Sequence, residues 1–416
     1  MNRTIVSQLK PTGSQYEILK RTIEEHTACF NAVCQIGFSQ GCHNGVELHK
    51  LTYYPLRVHY PDLPAQLVCA ARVKATETVK SALTWKVRHE KEYPKKVAKA
   101  KKQGKEPPKF KPVHAPHSNV CSIRYDARSY WVKWETMTCS VATVAGRVQM
   151  PFTVAEHAQK YIGGKVCSAD LCYRKGKFTL HIVVSIPEPS SEPSSEVIGI
   201  DLGLKRPAVM SNRHFLGEKR WKEQERRIFR IRRKLQKCGS KSAQRHLKKL
   251  SGKRFRQRRD HDHVLSKRIV QYAPQDSTIV FENLTNIRAN SKIGRGKRGN
   301  NIDTKRRFHS WSFAQLHAFT VYKAEARGIR VEKIDPRHTS QTCSRCGHQA
   351  RNNRRSQSLF LCRACGYCLN ADLNASVNIR EKYVTSLASI DTSLLVGCQS
   401  SSLSQPPSGE LQAPAL

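Results

Sequence analysis

Acidic residues are scarce in this chain. Only 32 Asp and Glu stand against 73 Lys and Arg, a formal net charge of +41 over 416 residues. A surface that positive repels itself unless it meets a polyanion. No uncharged run approaches the ~18 apolar residues of a membrane span, and no apolar segment follows Met1-Asn2-Arg3-Thr4 as a secretory leader would require. The expectation is a soluble cytoplasmic protein with no membrane partner. Internal repeats, a P-loop and a GxGxxG turn are all missing, which removes solenoids and the common nucleotide-binding folds.

What is present is positive charge on a chain long enough for two or three domains. Phosphate neutralisation with counterion release rewards many scattered Lys and Arg, so nucleic acid is the expected partner. The charge is densest over 217–259, with 19 Lys and Arg against 3 Glu. Trp221, Ile228, Ile231 and Leu235 fall there at helical spacing, and Gly239-Ser240 breaks the run, so a basic helical hairpin is predicted. Arg226, Arg230, Arg233, Lys237, Lys248, Arg254 and Arg258 are its candidate nucleic-acid contacts.

Residues 1–10 read as a strand, 14–36 and 61–100 as helices, and 93–112 as a basic, Pro-containing loop. Strands are expected from about 118 to 187, and a Pro/Ser/Glu-rich linker over 187–196. Beyond it, the apolar run Val197-Ile198-Gly199-Ile200-Asp201 is a strand ending in a carboxylate, with a hairpin partner near 206–211. Ser277–Phe281 is a second such strand, ending in Glu282. A segment over 285–306, rich in Asn, Arg and Gly, is expected to be mobile. A helix over 311–327 and a strand over 329–334 follow, and a Ser/Pro/Leu-rich tail from about 385 is expected to be disordered.

Two constellations carry chemistry. Cys343-Ser-Arg-Cys346 and Cys362-Arg-Ala-Cys365 are CxxC knuckles separated by 15 residues, the spacing of a four-thiolate zinc ribbon. Two residues between thiolates let one tight turn aim both sulfurs at one ion, and four protein ligands leave no open position for catalysis. Cys368 and His348 are competing ligands, read as bystanders. The chain holds 15 cysteines, and those outside the cluster, such as Cys29, Cys69, Cys139 and Cys238, are expected to be small buried hydrophobes. The second constellation is three carboxylates in separate segments: Asp201, Glu282, and Asp372 in Asn370-Ala-Asp372-Leu-Asn374-Ala375. In a chain so poor in acids, they suggest a site for Mg²⁺, for which oxygen ligands are suited.

The segments Gly199-Ile-Asp201-Leu-Gly203, Phe281-Glu282-Asn283-Leu284, Thr339-Ser340-Gln341-Thr342-Cys343 and Asn370-Ala-Asp372-Leu-Asn374-Ala375 resemble the motifs of the TnpB family, transposon-encoded RNA-guided nucleases related to compact type V CRISPR effectors. The resemblance spans about 195–380. Asp260, His263 and Lys267 resemble a further family segment, whereas the N-terminal half matches loosely, through Lys10-Pro11-Thr12, Gln15 and Asn31. It implies an α+β protein with an RNase H-like (RuvC) domain and an inserted zinc ribbon, preceded by a β-barrel-like wedge module with a helical recognition insertion. The implied domains are 1–190 for wedge and recognition, 196–340 and 368–384 for RuvC, 341–367 for the ribbon and 385–416 for the tail. Asp201, Glu282 and Asp372 would be catalytic acids holding paired Mg²⁺, Cys343, Cys346, Cys362 and Cys365 would hold one structural Zn²⁺, and a guide RNA and target double-stranded DNA would be the partners, with a monomer as the default state. The implied reaction is metal-dependent DNA cleavage. The competing readings are a compact type V CRISPR effector, a binding-only RNA-guided repressor and a DNA transposase.

Overall fold

The computed structural model describes residues 1–189, 196–290 and 302–399; the side chains of 289–290, 302–305 and 389–399 are not described. The chain divides into two compact units, Met1–Pro187 and Glu188–Leu416.

The first unit opens with β1 (Asn2–Leu9), whose alternating burial puts Ile5 and Leu9 in the core. Thr12 then starts α1 (Gly13–Ser39) with a reciprocal cap: the Gln15 amide donates to Thr12 Oγ1, and the Thr12 amide donates to Gln15 Oε1. Gln15 also donates from Nε2 to the carbonyl of Gln149 at 2.9 Å. Asn31 exchanges two bonds with the Ser118 backbone. Thr12, Gln15 and Asn31 of the loose N-terminal resemblance thus have plain structural duties.

Helices α2 (Gly45–His59) and α3 (Ala65–Lys102) pack beside α1. The sequence pattern assigned no element to 37–60, where α2 lies, and expected helix over 61–100 overlapping a loop over 93–112. Instead, α3 runs through Pro94 to Lys102, and only the chain beyond it is irregular. That segment folds back along the helix, with the Phe110 ring against Tyr93 at 4.9 Å and the Tyr93 hydroxyl donating to the Pro108 carbonyl.

Six further strands follow: β2 (Ile123–Tyr125), β3 (Tyr130–Lys133), β4 (Thr138–Thr143), β5 (Gly146–Val154), then, after α4 (Glu156–Gln159), β6 (Lys165–Arg174) and β7 (Lys177–Ser185). Among the described residues they form a seven-stranded sheet in the order β2-β6-β7-β1-β5-β4-β3. Its two edge strands, β2 and β3, are consecutive in the chain and joined by the tight turn 126–129, in which Ser129 N–H donates to the Asp126 carbonyl. A flat sheet of that width would hold its edges roughly 29 Å apart at ~4.8 Å per strand, so the sheet must curl strongly.

The second unit is built on a five-stranded sheet in the order β10-β9-β8-β11-β12. The strands are β8 (Val197–Asp201), β9 (Ala208–Met210), β10 (Phe215–Leu216), β11 (Thr278–Glu282) and β12 (Arg330–Ile334). β8, β11 and β12 are parallel, and the hairpin β8-β9-β10 is antiparallel. Between hairpin and β11 lie α5 (Lys219–Cys238) and α6 (Lys241–Tyr272). They break where the sequence places the break: Gly239 is the left-handed C-cap of α5, and the Ser240 hydroxyl accepts the Ala243 amide at the start of α6.

After β11 come α7 (Ile287–Asn290), α8 (Ile302–His309) and α9 (Phe313–Glu325). Of the segment 285–306 expected to be mobile, 287–290 and 302–306 are helical, in α7 and α8, while 291–301 lie outside the described residues, as do 190–195 of the linker. One face of the sheet, with Ile198, Ile200, Ile279 and Phe281, packs on Leu265, Ile269, Leu316 and Ala324 of α6 and α9. The opposite face, with Val197 and Val280, packs on Ile379 of α10 (Ala371–Gln399). That helix continues well past 385, where the sequence composition suggested a tail; residues 400–416 lie outside the description.

Candidate active site

Side chains alternate along a strand, so Val197, Gly199 and Asp201 share one face of β8 while Val280 and Glu282 share the same face of β11. The parallel register sets Val280 opposite Gly199 and Phe281 opposite Ile200, which brings Glu282 beside Asp201 one step further on. Helix α10 covers this face, and Asp372 sits in its first turn. Three acids far apart in sequence are thereby gathered at the C-terminal ends of parallel strands, where open α/β sheets bind ligands.

Gly199 permits the close crossing. A Cβ there would lie 2.1 Å from the Ser376 carbonyl oxygen and 2.7 Å from the Arg380 amide nitrogen, both on α10. A larger residue would push the helix, and Asp372 with it, off the sheet.

The acids are desolvated. Burial raises the Asp201 carboxyl well above its ordinary value, and the charges of Glu282 and Asp372 raise it further. Glu282 is pushed from 4.5 up to about 7, chiefly by burial, against a hydrogen bond from Thr339 and the positive charge of Arg354. Thr339 Oγ1 donates to Glu282 Oε1 at 2.9 Å, and Arg354 Nη2 reaches Asp372 Oδ1 at 2.8 Å. Among the described residues, the three carboxylates do not form a set with all ligand atoms within 4.8 Å of one another.

The cysteine cluster is tight. One ligand atom from each of Cys343, Cys346, Cys362 and Cys365 lies within 4.8 Å of all the others. The Cys343 and Cys365 sulfurs are 3.8 Å apart, and those of Cys346 and Cys362 are 3.6 Å apart. Each knuckle closes on a glycine of positive φ, Gly347 at 74° and Gly366 at 67°, whose amide donates back to the first cysteine's carbonyl. This set could hold a zinc ion. Cys368 is exposed on β14 (Cys368–Asn370), which pairs with β13 (Leu359–Leu361), and neither it nor His348 joins the set. Of the other cysteines named from sequence, Cys29 and Cys139 are buried, Cys69 is half-buried, and Cys238 is exposed at the end of α5, where the helix has no core to face.

Asn353, fully buried, donates to the carbonyls of Gln341 and His348 and accepts the Arg363 amide, so one amide side chain stitches the two knuckles together. Asn374 exchanges bonds with Thr342 and Ser344, and Asn378 donates to the carbonyls of Thr339 and Thr342. The ribbon is thus bonded to the helix that carries Asp372. Thr339 and Asn374 stand inside motifs quoted from the sequence, but nothing in the sequence signalled Arg354, which meets Asp372 only through the fold.

The seven candidate nucleic-acid contacts separate into two groups. Arg226, Arg230, Arg233, Lys237 and Lys248 are exposed along α5 and α6. Arg254 and Arg258 are half-buried and turn inward to Glu225, at 3.4 and 3.1 Å.

Comparison with known proteins places these features. Residues 181–288 match the OrfB_IS605 family model, described as a probable transposase, and 313–379 match the model of the Cas12f1-like TNB domain. The CRISPR-associated endodeoxyribonuclease Cas12f1 of Sulfoacidibacillus thermotolerans is 34% identical over 227 residues, covering 50% of each chain. The TnpB-like protein MJ0751 of Methanocaldococcus jannaschii is 33% identical over 137 residues, 33% of this chain and 46% of that one. The putative RNA-guided DNA endonuclease InsQ of Escherichia coli K12 is 29% identical over 199 residues, 45% of this chain and 49% of that one. The chain spans about half the length of these curated relatives. Among solved structures, the mini RNA-guided endonuclease CRISPR-Cas phi3 superposes with a TM-score of 0.50 at 12% identity over 92% of each chain, a likeness of fold alone.

The chain is therefore a relative of proteins carrying transposon-type and Cas12f-type nuclease segments. More particularly, the resemblance to the TnpB family read from its motifs is matched by the TnpB-like relative and the OrfB_IS605 model, and the chain is similar to Cas12f1 as well.

Proposed function

We propose that this protein is an RNA-guided DNA endonuclease of TnpB type, cutting by metal-dependent phosphodiester hydrolysis. The observation that carries the reading is the gathering of Asp201, Glu282 and Asp372 on the α10 face of the sheet. The order β10-β9-β8-β11-β12, an antiparallel hairpin followed by parallel strands, supports an RNase H-like (RuvC) domain over 196–340 and 368–384. The strong curl of the first unit's sheet supports a barrel-like wedge, with α1 to α3 as its recognition insertion.

The donor set fits Mg²⁺: buried Asp372 and half-buried Asp201 and Glu282 lie close enough for the charges of Glu282 and Asp372 to act on Asp201, Arg354 is the cation on Asp372, and oxygen-only ligands suit a hard ion. Bound there, Mg²⁺ would supply an activated water and stabilise the leaving oxygen. The protein's own part is orientation. Thr339 fixes the Glu282 carboxylate, Arg354 holds Asp372, and the Asn374 and Asn378 amides lock α10 against the ribbon. Cys343, Cys346, Cys362 and Cys365 would hold a structural Zn²⁺. The exposed Arg226, Arg230, Arg233, Lys237 and Lys248 would lie along the phosphates of guide RNA or target DNA. Among the described residues no helix is long and apolar enough to cross a membrane.

The test is to express the gene with its native downstream flank, sequence the RNA that copurifies, and challenge the complex with a matching plasmid and Mg²⁺. A discrete RNA, and cleavage that Asp201→Ala abolishes without loss of RNA, is the expected result. Heterogeneous cellular RNA alone would overturn the guided reading. The compact CRISPR effector remains a second reading because Cas12f1 and the TnpB-like protein match at 34% and 33% identity; an RNA transcribed from a repeat array, rather than a transposon end, would favour it.

A further inference from the structure

Between α5, α6 and α9 lies a cavity of about 140 Å³, on the sheet face opposite the acids. Its wall includes Gly203 and Leu204, two and three residues beyond Asp201. Trp311, Phe313 and Leu316 supply an apolar side, and Trp221 stacks on His261 at 4.4 Å. A cavity of about this volume is matched in size by a single six-membered ring.

The polar side is unusual. Asp262 is 5% exposed, lines the cavity, and its Oδ2 has no hydrogen-bond partner. A buried carboxylate oxygen left so is costly and calls for an N–H donor. Burial pushes this carboxyl up to about 6, with Ser312 and Arg258 pulling the other way. At the rim, cations outnumber acids. Glu225 alone is shared by Arg254, Arg258 and Arg306. Lys222 has its ammonium pKa lowered by burial and then by Arg307, Arg206, Arg226 and Lys205. Such crowding favours an anion beside Lys222 and Arg307. A planar ring, an N–H donor on that ring and an adjacent anion together describe a pyrimidine nucleotide.

We propose that this cavity receives one pyrimidine base turned out of a nucleic-acid strand running along α5 and α6, stacked by Trp311 and Phe313, donating to Asp262, with its phosphate on Lys222 and Arg307. The inference rests on the nucleic-acid reading above and adds a base-selective pocket to a surface otherwise blind to sequence. A base held here sits against the Gly203-Leu204 turn, so occupancy would bear directly on the strand that ends in Asp201.

The test uses the full-length protein and labelled oligoadenylate strands of about twelve nucleotides, in RNA and DNA versions, with either one central cytidine or an abasic residue. Anisotropy should show the cytidine probe binding about tenfold tighter, the low end of what base stacking gives, in the RNA or the DNA series according to which strand occupies the pocket. Ser312→Phe, which fills the rim at an N-cap whose side chain makes no capping bond, and Asp262→Ala should each erase the difference while leaving the abasic probe unchanged. Lys222→Ala should weaken both probes together. Equal affinity of the two probes in the wild type, or a difference that survives both Ser312→Phe and Asp262→Ala, would overturn the pocket. Tight, salt-dependent abasic binding in that case leaves the nucleic-acid reading standing, whereas binding of neither probe refutes both.

Discussion

Glu282→Gln should stabilise the protein in the absence of Mg²⁺ while abolishing cleavage. The Glu282 carboxyl moves from 4.5 to about 7 on folding. At about 1.4 kcal/mol per unit, the ionised form is penalised by roughly 3 kcal/mol in the folded state. The sign follows from linkage. A carboxyl whose folded pKa is raised holds its proton more tightly when folded, so the penalty is absent below about 4.5, grows between there and 7, and is complete above. Glutamine keeps an oxygen for the Thr339 hydroxyl and carries no charge. At pH 8, with zinc retained and Mg²⁺ omitted, the variant should melt several degrees higher than the wild type, at roughly 2–4 °C per kcal/mol for a unit of this size. At pH 5 the gap should nearly close. Added Mg²⁺ should raise the wild type and not the variant, by mass action on the folded state. A variant no more stable than the wild type at pH 8, or a gap indifferent to pH, would refute the account of a site strained by its own buried charge.

Three further outcomes are expected. Cys343→Ser, or zinc removal by a chelator, should unfold the ribbon and lose cleavage with all three acids intact, because Asn374 and Asn378 tie the ribbon to α10; zinc content, melting and plasmid cleavage measured together check this. The triple variant Arg226→Ala, Arg230→Ala, Arg233→Ala should flatten the salt dependence of DNA binding by about 2 to 3 in log–log slope with unchanged melting, whereas Arg258→Ala, by removing one of the three cations around the half-buried Glu225, should lower the melting temperature. Gly199→Ala should destabilise the second unit by about 2 kcal/mol or more, while Gly252→Ala, which meets only the end of Arg256 at 3.5 Å inside α6, should stabilise it by up to about 1 kcal/mol; denaturant midpoints separate the two.

Much of this was legible in the sequence for identifiable reasons. β8 and β11 are buried on both faces, so they read as unbroken apolar runs, and each ends at the acid. The α5–α6 break showed because glycine and serine are the residues that end and begin helices. The cysteine knuckles showed because thiolate spacing is set by local turn geometry. What stayed hidden has equally physical reasons. Pro94 suggested a loop, but α3 continues through it, and composition alone hid the continuation of α10 past 385. Arg254 and Arg258 look identical to their exposed neighbours in sequence; only the packing of α6 against α5 turns them toward Glu225. Arg354, Asn353 and the Thr339–Glu282 bond join segments far apart in the chain, and no local pattern encodes such a meeting.

The bonding of α10 to the ribbon has a consequence in time. A ribosome delivers Asp201 and Glu282 long before Asp372, and the helix bearing Asp372 can seat only once Thr339, Thr342 and Ser344 are in place to meet Asn374 and Asn378. On the proposed reading, a nascent or prematurely terminated chain already displays the basic surfaces of α5 and α6 yet lacks its third acid. Such a fragment would occupy nucleic acid without cutting it, and the cell is exposed to the finished blade only after the last cysteine knuckle has closed.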